Sequence, residues 1–324
     1  MKTVFNVLEG TNPLLSIAAC CVLGCGSAGA GKADIDEGND ISHDVIHDLG
    51  HEEGCAGDDT SYDATPPMAC NGHPVLCDRR YNEVAFVTTH NAMANEDDGF
   101  LAPNHYKSMR RQMEDGVRAM MLDTHYDEGV AYLCHGYCVV GKKLLADGLK
   151  EIRDFLSDNP NEVFGIIFEA YVSEKDTAAA FQEAGLMDMV HLGNKGAPWP
   201  TLRQMISEGR RLVVLSDKAS GKLDWYMKVW DVAWETDWDN QSLEDFTCKR
   251  NRGKPDNPLF ILNHFLTDPL ASPELAAQAN ANPFFLERAE QCMKESGRLP
   301  NFVAVDFYSI GDVFQVVDVL NGVQ

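Results

Sequence analysis

The 324-residue sequence is short of positive charge and lacks glycine-rich phosphate loops. It has 27 Lys and Arg against 50 Asp and Glu, which gives a formal net charge of −23. Nucleic-acid binding depends on neutralising phosphates with Lys and Arg, so this deficit excludes nucleic acid as a partner and argues against general adhesion to anionic lipid. No loop of the dinucleotide-binding or P-loop kind is present. The hydrophobic content of 44% is nevertheless that of an ordinary globular protein.

Long apolar runs are also lacking. Residues 14–23 are mostly apolar but too short to span a bilayer, and no longer run follows. With Lys2 before them and small residues after them, they predict an export signal over residues 1–25. Residues 22–25 (Val-Leu-Gly-Cys) resemble a bacterial lipoprotein processing site; residues 17–20 are a second candidate, and simple secretion is the alternative. We therefore expect an exported protein, either secreted or lipid-anchored at the bacterial cell envelope.

Residues 33–63 contain no Lys or Arg but eleven acids, which account for nearly half of the net charge. A stretch this polar cannot bury enough apolar surface to offset its ordering entropy, so residues 26–69 are predicted to be an acidic flexible linker. Three histidines spaced four apart within it (His43, His47 and His51) would form a metal-binding face on a helix. A polar tether with scattered histidines is the simpler interpretation.

The cysteines fit export. Six of those beyond the signal are spaced for disulfides, and Cys55 is left over. Zinc is the alternative at Cys134 and Cys138, but it needs further ligands at suitable spacing and the sequence shows none. Cys70 and Cys77, and likewise Cys134 and Cys138, are close enough in sequence for local bridges, and Cys248 with Cys292 could close a longer loop, although spacing alone does not fix the pairing.

From residue 70 onward, short apolar runs repeatedly end in polar, chemically useful residues. These runs are residues 84–87, 119–122, 131–133, 163–168, 212–215, 259–262 and 302–305. Continuous apolar runs suit strands buried on both faces of a parallel sheet, and helix-like segments lie between several of them. The helix-like segments are residues 144–156, 177–184, 202–208 and at least one within 273–296.

This alternation predicts an α/β fold. Polar residues at the carboxyl ends of nearly every strand favour a TIM-like (β/α)8 barrel, regular or distorted, over residues 70–324. An open doubly wound sheet is the alternative, but it would gather its ligand residues at one switch point.

Two histidines and two carboxylates stand at these strand ends. His90 and His135 each follow an apolar run, and a pair of imidazoles can serve as general base and general acid because each titrates near neutral pH. Asp123 and Glu169, with the Asn91 amide, supply three oxygen ligands, a set that suits Ca²⁺ or Mg²⁺. A buried ion pair between these carboxylates and a neighbouring cation is the alternative.

Other polar residues are candidates for holding substrate or orienting a histidine. Arg118 and Lys218 could bind a phosphate, or could instead pair with the two carboxylates. His125 alternates with Asp123 in the predicted strand, so both lie on one face. Asp306 ends the last apolar run.

Several segments together resemble the X-box of phosphoinositide-specific phospholipase C. The X-box is matched by residues 89–92 (Thr-His-Asn-Ala), 116–123 (Gly-Val-Arg, then Asp after four residues) and 134–137 (Cys-His-Gly-Tyr). Later strands of the family are matched by residues 159–169 and 300–308. The likeness extends to the exported, disulfide-bearing branch of bacterial and fungal phospholipase-C-like phosphodiesterases, through residues 77–79 (Cys-Asp-Arg) and 263–264 (Asn-His). It covers roughly residues 70–320.

The resemblance implies a phosphodiester-cleaving barrel. His90 would be the general base that deprotonates the inositol 2-hydroxyl, whose oxygen attacks phosphorus to give a cyclic phosphodiester. His135 would protonate the diacylglycerol oxygen as it leaves. Asp306 matches a late-strand position and would orient His90, as a carboxylate does in a catalytic triad.

The resemblance also implies a cation. In the calcium-dependent branch, residues matching Asn91, Asp123 and Glu169 hold the ion, so Ca²⁺ is the predicted cofactor and Mg²⁺ the alternative. Met121 stands where those enzymes carry a Glu, which predicts a weakened site. The metal-independent branch has an Arg at the position of Asp123, which favours a cation here.

The sequence thus predicts an exported, monomeric phospholipase-C-like phosphodiesterase that acts on phosphatidylinositol or a related phosphodiester and makes peripheral contact with membranes. The absence of a Lys cluster argues against a polyphosphorylated inositol. One alternative is a glycerophosphodiester phosphodiesterase, which usually opens with His-Arg-Gly where this chain has His-Asn-Ala. The other is a surface binding protein that kept the barrel and lost turnover.

The aromatic segment 225–238 is interpreted as a helical stripe packed on the barrel, with a substrate- or lipid-contacting rim as the alternative.

Overall fold

The structure is a computed structural model that describes residues 68–193 and 196–324. The predicted export signal (residues 1–25), the linker histidines, Cys55 and all but the last two residues of the predicted linker lie outside these ranges. Within them, no helix is long and apolar enough to cross a bilayer.

The described residues form eleven strands and eight α-helices. The strands are β1 (Phe86–Thr89), β2 (Ala119–Asp127), β3 (Val130–Leu133), β4 (Lys143–Leu144), β5 (Phe164–Ala170), β6 (Leu212–Ser216), β7 (Tyr226–Lys228), β8 (Ala233–Thr236), β9 (Arg250–Gly253), β10 (Leu259–Asn263) and β11 (Phe302–Val305). The helices are α1 (Met109–Glu114), α2 (Leu145–Asp158), α3 (Glu174–Ala184), α4 (Leu202–Ser207), α5 (Val229–Val232), α6 (Pro273–Ala279), α7 (Phe284–Ser296) and α8 (Val313–Asn321).

Eight parallel strands form one curled sheet, in the order β7-β6-β5-β2-β1-β11-β10-β8. Strand β9 is antiparallel to β8, while β3 pairs antiparallel with β2, and β4 with β3. No ladder joins β7 to β8 in the described ranges, where α5 is the chain segment between them. The predicted TIM-like α/β barrel is confirmed, in a distorted form that is open at this seam.

Side chains alternate between the two faces of the parallel strands, and each face forms its own core. The outward face packs against the helices through residues that include Val87, Met120, Leu122, Ile166, Phe168, Val214, Phe260 and Val303. The inward face fills the barrel with residues that include Phe86, Ala119, Ile167, Val213, Leu215, Ile261 and Phe302. Every second residue of a strand faces the same side. On β1, β2, β5 and β11, the inward face therefore continues to His90, Asp123, Glu169 and Asp306 respectively. These four residues lie at the carboxyl end of the barrel, here called the mouth.

Helix α2 shows why these segments are helical. Its buried residues include Leu145, Leu149, Ile152 and Leu156, which lie on one stripe at helical spacing, and the helix ends before Pro160. This stripe packs onto the outward face of the barrel. Predicted helix bounds are close to those observed, except that residues 273–296 form two helices, α6 and α7.

One strand was predicted with the wrong orientation. Residues 131–133 belong to β3, which runs antiparallel to β2 in a hairpin. Its two-residue turn, Glu128-Gly129, has φ values of 48° and 81°, and two consecutive positive values fit a type I′ turn. Because β2 extends past the barrel and β3 returns, the hairpin carries His135 back to the mouth.

The predicted helical stripe at residues 225–238 is also wrong. This segment forms β7, the single-turn helix α5 and β8. Trp234 faces outward from β8 and stacks on Phe260 of β10, with ring centroids 3.8 Å apart. The aromatic residues are therefore distributed over two short strands and the single-turn helix between them. Their spacing along the sequence happens to match that of a helix.

The three predicted disulfides are confirmed. Cys70–Cys77 staples the segment that precedes β1, and Cys248–Cys292 ties the loop before β9 to α7. Cys134–Cys138 closes the short loop that contains His135. The zinc alternative at this last pair is overturned, because both sulfurs are used in the disulfide.

Candidate active site

His90 and Asp306 form a hydrogen-bonded pair at the mouth. Strands β1 and β11 are in parallel register, with Thr89 opposite Val305, so the next residue of each strand stands beside the other. His90 Nδ1 lies 3.0 Å from Asp306 Oδ1. Because a carboxylate can only accept, Nδ1 carries the proton and the lone pair remains on Nε2.

The backbone turns sharply just after both members of this pair. Asn91 has φ 51° and Phe307 has φ 42°, both in the left-handed region. Asn tolerates this region, whereas Phe is uncommon there, and such residues gather at functional sites. Each turn ends its strand directly after the polar residue and leaves that residue at the mouth.

The surroundings of His90 favour its protonated form. Burial is the largest single effect and lowers the pKa of His90, but the charge and hydrogen bond of Asp306, together with the charges of Asp123 and Glu169, outweigh it and raise the pKa. The ring also stacks on Phe265, with centroids 3.8 Å apart and an angle of 6° between the planes. The orientation of His90 is therefore set by one hydrogen bond and one aromatic face.

His135 stands at the same mouth, on the short loop that follows β3. The preceding residue is bound to β2, since Cys134 N donates to Asp123 O at 3.2 Å. Partial desolvation, and then the positive charge of His90, lower the pKa of His135. The charge of His90 thus acts on His135, which lies close enough to feel it, and the pKa shifts of the two histidines run in opposite directions.

Asp123 and Glu169 are neighbours on β2 and β5, where they are paired in parallel register. Asp123 is buried, and this burial followed by the Glu169 charge raises the pKa of Asp123 to about 7. Glu169 accepts a hydrogen bond from Tyr171 Oη at 2.6 Å. Among the described residues, neither carboxylate forms an ion pair with a Lys or Arg. The predicted alternative of a buried ion pair is therefore absent from this part of the chain.

The oxygen ligands at this position suit a hard cation, but they are few. Two adjacent carboxylates raise the free energy of each other's charged form, and a divalent cation between them would relieve it. Asn91 is buried beside His90 and adds an amide oxygen to the candidates. In the described ranges, no group of three or more His, Cys, Asp or Glu side chains is placed to hold a metal ion, so a cation would depend on the two carboxylates and the Asn91 amide. Met121 packs instead with the inward-facing core.

The predicted substrate residues fall in different places. The Lys218 ammonium lies 3.4 Å from the centroid of the Tyr171 ring, and the ring of His125 stacks on the same tyrosine at 4.4 Å. Both therefore lie at the edge of the carboxylate pair. Burial and the positive charge of Lys218 lower the pKa of His125, against an opposing effect of the Glu169 carboxylate.

Arg118 is not brought to the mouth. It directly precedes β2, so it lies at the amino end of the barrel, where its Nε donates to Glu162 at 2.5 Å and its Nη1 donates to two backbone carbonyls. The prediction that Arg118 binds substrate is therefore wrong. Its guanidinium serves the local structure there, beside the Phe155 ring.

A second polar group, which was not predicted from the sequence, lies on the opposite side of the barrel. Glu235 of β8 is buried and faces inward, where it accepts hydrogen bonds from Arg252 Nε at 2.5 Å and from Asn263 Nδ2 at 3.1 Å. Arg252 also lies over the Trp230 ring. No spacing signal joins these residues, because β9 turns back antiparallel onto β8 and brings Arg252 across from a distant position.

Comparison with known proteins bears on this geometry. A sequence profile described as PI-PLC X matches residues 76–321. The chain belongs to the PI-PLC X domain family. The match includes both histidines, the carboxylates at the mouth and the whole of the barrel from β1 to β11.

Relatives agree with this assignment. The chain is 28% identical to PI-PLC X domain-containing protein 1 of Arthroderma benhamiae, over 79% of this chain and 90% of that one. It is 30% identical to an uncharacterized secreted protein of the same fungus and to a PI-PLC X domain-containing protein of Arabidopsis thaliana. Each of these two matches covers 80% of this chain and 65% of the relative. The chain therefore spans about two thirds of the length of these two relatives.

Solved structures of the family share the fold. A phosphatidylinositol-specific phospholipase C from Staphylococcus aureus superposes with a TM-score of 0.52, over 76% of this chain and 95% of that one, at 13% identity. At this identity, the structural similarity supports the barrel fold and carries no information about the substrate.

Proposed function

We propose that the protein is an exported phosphodiesterase of the phospholipase C type that cleaves phosphatidylinositol or a related phosphodiester. One observation carries the proposal: a carboxylate-oriented histidine, His90, stands at the same mouth as a second histidine, His135, whose loop is bound to β2 beside Asp123. The order and spacing of the family motifs in this sequence favour this chemistry over that of a glycerophosphodiester phosphodiesterase, which usually opens with His-Arg-Gly. We also propose that it acts as a monomer.

The proposed reaction begins at His90. Its Nε2 lone pair takes the proton of the substrate's 2-hydroxyl, while Asp306 holds Nδ1–H and stabilises the imidazolium that forms. The hydroxyl oxygen bonds to phosphorus, and the bond from phosphorus to the diacylglycerol oxygen breaks. His135, in its protonated form, gives its proton to that leaving oxygen. The products are a cyclic phosphodiester and diacylglycerol.

We propose that Ca²⁺, or Mg²⁺ in its place, supports this reaction through Asn91, Asp123 and Glu169. A bound divalent cation supplies charge stabilisation for the phosphorane oxygens and acidifies a nearby hydroxyl. Lys218, at the edge of the same pair, supplies a fixed positive charge and is a candidate phosphate contact.

The cation proposal is tested by substitution at position 121. Met121→Glu adds a carboxylate two residues before Asp123 on the inward face, so we expect calcium affinity to rise about tenfold; Asp123→Asn removes a ligand charge and should lower it by a similar factor. Isothermal titration calorimetry measures both. Met121→Gln introduces a side chain of the same shape as Glu but without its charge, and it serves as the control. Equal calcium binding by all four proteins would remove these residues from the site.

We further propose that the enzyme meets a membrane with the mouth facing the lipid. Three large apolar side chains near His135 are strongly exposed: Leu101 at 79%, Tyr137 at 80% and Val139 at 88%. They lie on two loops joined by a hydrogen bond from Leu101 N to Val140 O of 2.8 Å. Exposed aromatic and aliphatic side chains beside a reactive centre fit shallow insertion among headgroups.

Replacing Tyr137 and Val139 together with Ser is expected to weaken binding to phosphatidylcholine vesicles containing phosphatidylinositol by about tenfold or more, since burial of each side chain contributes on the order of 1 kcal/mol. Vesicle sedimentation measures the partitioning. Val75→Ser, which changes an exposed valine (53%) before β1 at the other end of the barrel, is the control. Unchanged partitioning of the double variant would exclude this surface.

The proposed activity itself is tested by incubating the protein with phosphatidylinositol vesicles and, separately, with glycerophosphoinositol, each with calcium and with chelator. Release of headgroup from the vesicles in calcium is the expected result. Turnover of the deacylated diester alone would favour the glycerophosphodiester alternative. Absence of turnover on every diester would leave a binding protein that has lost catalysis.

A further inference from the structure

Two consecutive residues outside the reactive set contact both members of the His90–Asp306 pair. Asn104 and His105 lie in the long loop between β1 and α1 and are buried. Asn104 Nδ2 lies 2.8 Å from Asp306 Oδ1, the same oxygen that faces His90. His105 Nε2 lies 2.8 Å from the backbone carbonyl oxygen of His90. One dipeptide thus reaches the side chain of one partner and the main chain of the other.

The donors in both contacts are set by chemistry. A carboxylate oxygen accepts, so the Asn104 amide nitrogen donates to Asp306; a carbonyl oxygen accepts, so His105 donates through Nε2–H. Burial lowers the pKa of His105 to about 4, which keeps the ring neutral near pH 7. Its Nδ1 is buried and has no hydrogen-bond partner among the described residues. His105 therefore acts as a neutral donor.

Backbone hydrogen bonds hold the dipeptide to the turns that follow β1 and β11. The backbone N–H groups of Asn104 and His105 both donate to Ala94 O, at 2.8 and 3.2 Å, and Ala94 lies four residues after His90. In return, Phe307 N donates to Asn104 O at 2.7 Å, which supports Phe307 in its left-handed conformation. The loop thus joins the turn after β1 to the turn after β11.

We propose that Asn104 and His105 are positioning residues for the reaction, and this inference rests on the proposed role of His90 as base. Asn104 holds the Asp306 carboxylate with Oδ1 toward His90 Nδ1, while His105 holds the main chain of His90. Asp306 Oδ2 is buried without a partner, so Asn104 is the one described side chain besides His90 that orients the carboxylate. When the carboxylate is held, His90 keeps Nδ1–H and presents Nε2 to the substrate.

The two positions allow matched substitutions. Asn104→Ala removes the donor, and Asn104→Asp keeps the shape but replaces the donor with an acceptor facing Asp306. Both should lower kcat by about 10- to 100-fold with KM within about twofold, the loss typical of a misplaced catalytic group. His105→Ala should lower kcat likewise, whereas His105→Gln, whose amide nitrogen can reach the position of Nε2, should retain most of it.

Asn321→Ala is the control for loss of a buried amide. Asn321 bonds the backbone N–H and C=O of Ala85, at the start of β1 and away from the mouth. It should lower thermal stability while leaving kcat unchanged. An equal loss of kcat in this control would show that Asn104 acts through general stability, and full activity of Asn104→Asp would show that it acts through packing; either result overturns the proposal.

A readout independent of turnover separates this inference from the proposed function. Nitrogen-15 NMR of the imidazole rings, in buffer alkaline enough to keep His90 neutral, reports which ring nitrogen carries its proton. We expect the Nδ1–H form in the wild type and in Asn321→Ala, and a mixture of both tautomers in Asn104→Ala. An unchanged tautomer in Asn104→Ala overturns the positioning role, even if no phosphodiester proves to be a substrate.

Discussion

Replacing His90 with Ala is expected to lower kcat/KM for phosphatidylinositol by about 10³-fold, within the 10²- to 10⁴-fold range of general acid–base catalysis. The substitution removes the Nε2 lone pair that takes the hydroxyl proton, and it leaves the Asp306 carboxylate with Asn104 as its one hydrogen-bond donor among the described side chains. The loss should be the same for a substrate with a good leaving group, because proton removal from the attacking hydroxyl is still required. Initial rates with phosphatidylinositol and with a p-nitrophenyl inositol phosphodiester measure both.

The control for this prediction is His73→Ala. His73 lies ahead of β1, beside Asp318 and away from the mouth. Its replacement should leave both rates unchanged, and circular dichroism should show both variants folded. If a folded His90→Ala protein kept full activity on either substrate, another group would have to be the base.

Replacing His135 with Ala is expected to have a large effect that depends on the leaving group. Diacylglycerol leaves as a poorly stabilised alkoxide unless it is protonated, so turnover of phosphatidylinositol should fall about 10²- to 10⁴-fold. p-Nitrophenolate needs no proton, so the p-nitrophenyl phosphodiester should be cleaved at nearly the wild-type rate. Comparison of the two rates in one variant therefore isolates the acid step.

The neighbouring histidine provides a matched control for this second prediction. His125→Ala removes a ring that stacks on Tyr171 at the edge of the site and has no proton-transfer role in the proposed reaction. It should change KM more than kcat and should not distinguish the two leaving groups. If His135→Ala lost activity equally on both substrates, His135 would be assigned to substrate binding or to the base step.

Much of the barrel could be predicted because its signals are local. Apolar runs such as residues 164–168 and 302–305 are long enough to identify buried parallel strands, and the polar residue after each run marks the mouth. The same rule could have excluded Arg118, which precedes its strand and so belongs at the opposite end. Strand β3 was placed wrongly because an apolar run gives no direction, and the Glu128-Gly129 turn lacks the Asn-Gly or Asp-Gly signature of a tight hairpin.

The rest of the site depends on contacts between distant segments. Asn104 meets Asp306 across 202 residues of chain, and Phe265 reaches His90 from the loop after β10. Asn104 does not follow a strand, and Phe265 follows one but is apolar, so the pattern of polar strand ends that revealed His90 marks neither residue. The short strands β7 and β8 carry too few residues for an apolar run to stand out, so the open seam of the barrel was not predictable either.

In the proposed reaction, a hydroxyl of the substrate itself attacks phosphorus, with His90 as base and His135 as acid. Phosphorus-31 NMR of the reaction with phosphatidylinositol in detergent and calcium tests it most directly. We expect the signal of a five-membered cyclic phosphodiester to appear first, together with diacylglycerol, and to be absent with His90→Ala. Direct formation of the acyclic inositol phosphate in water, with no cyclic signal at the earliest times, would contradict it.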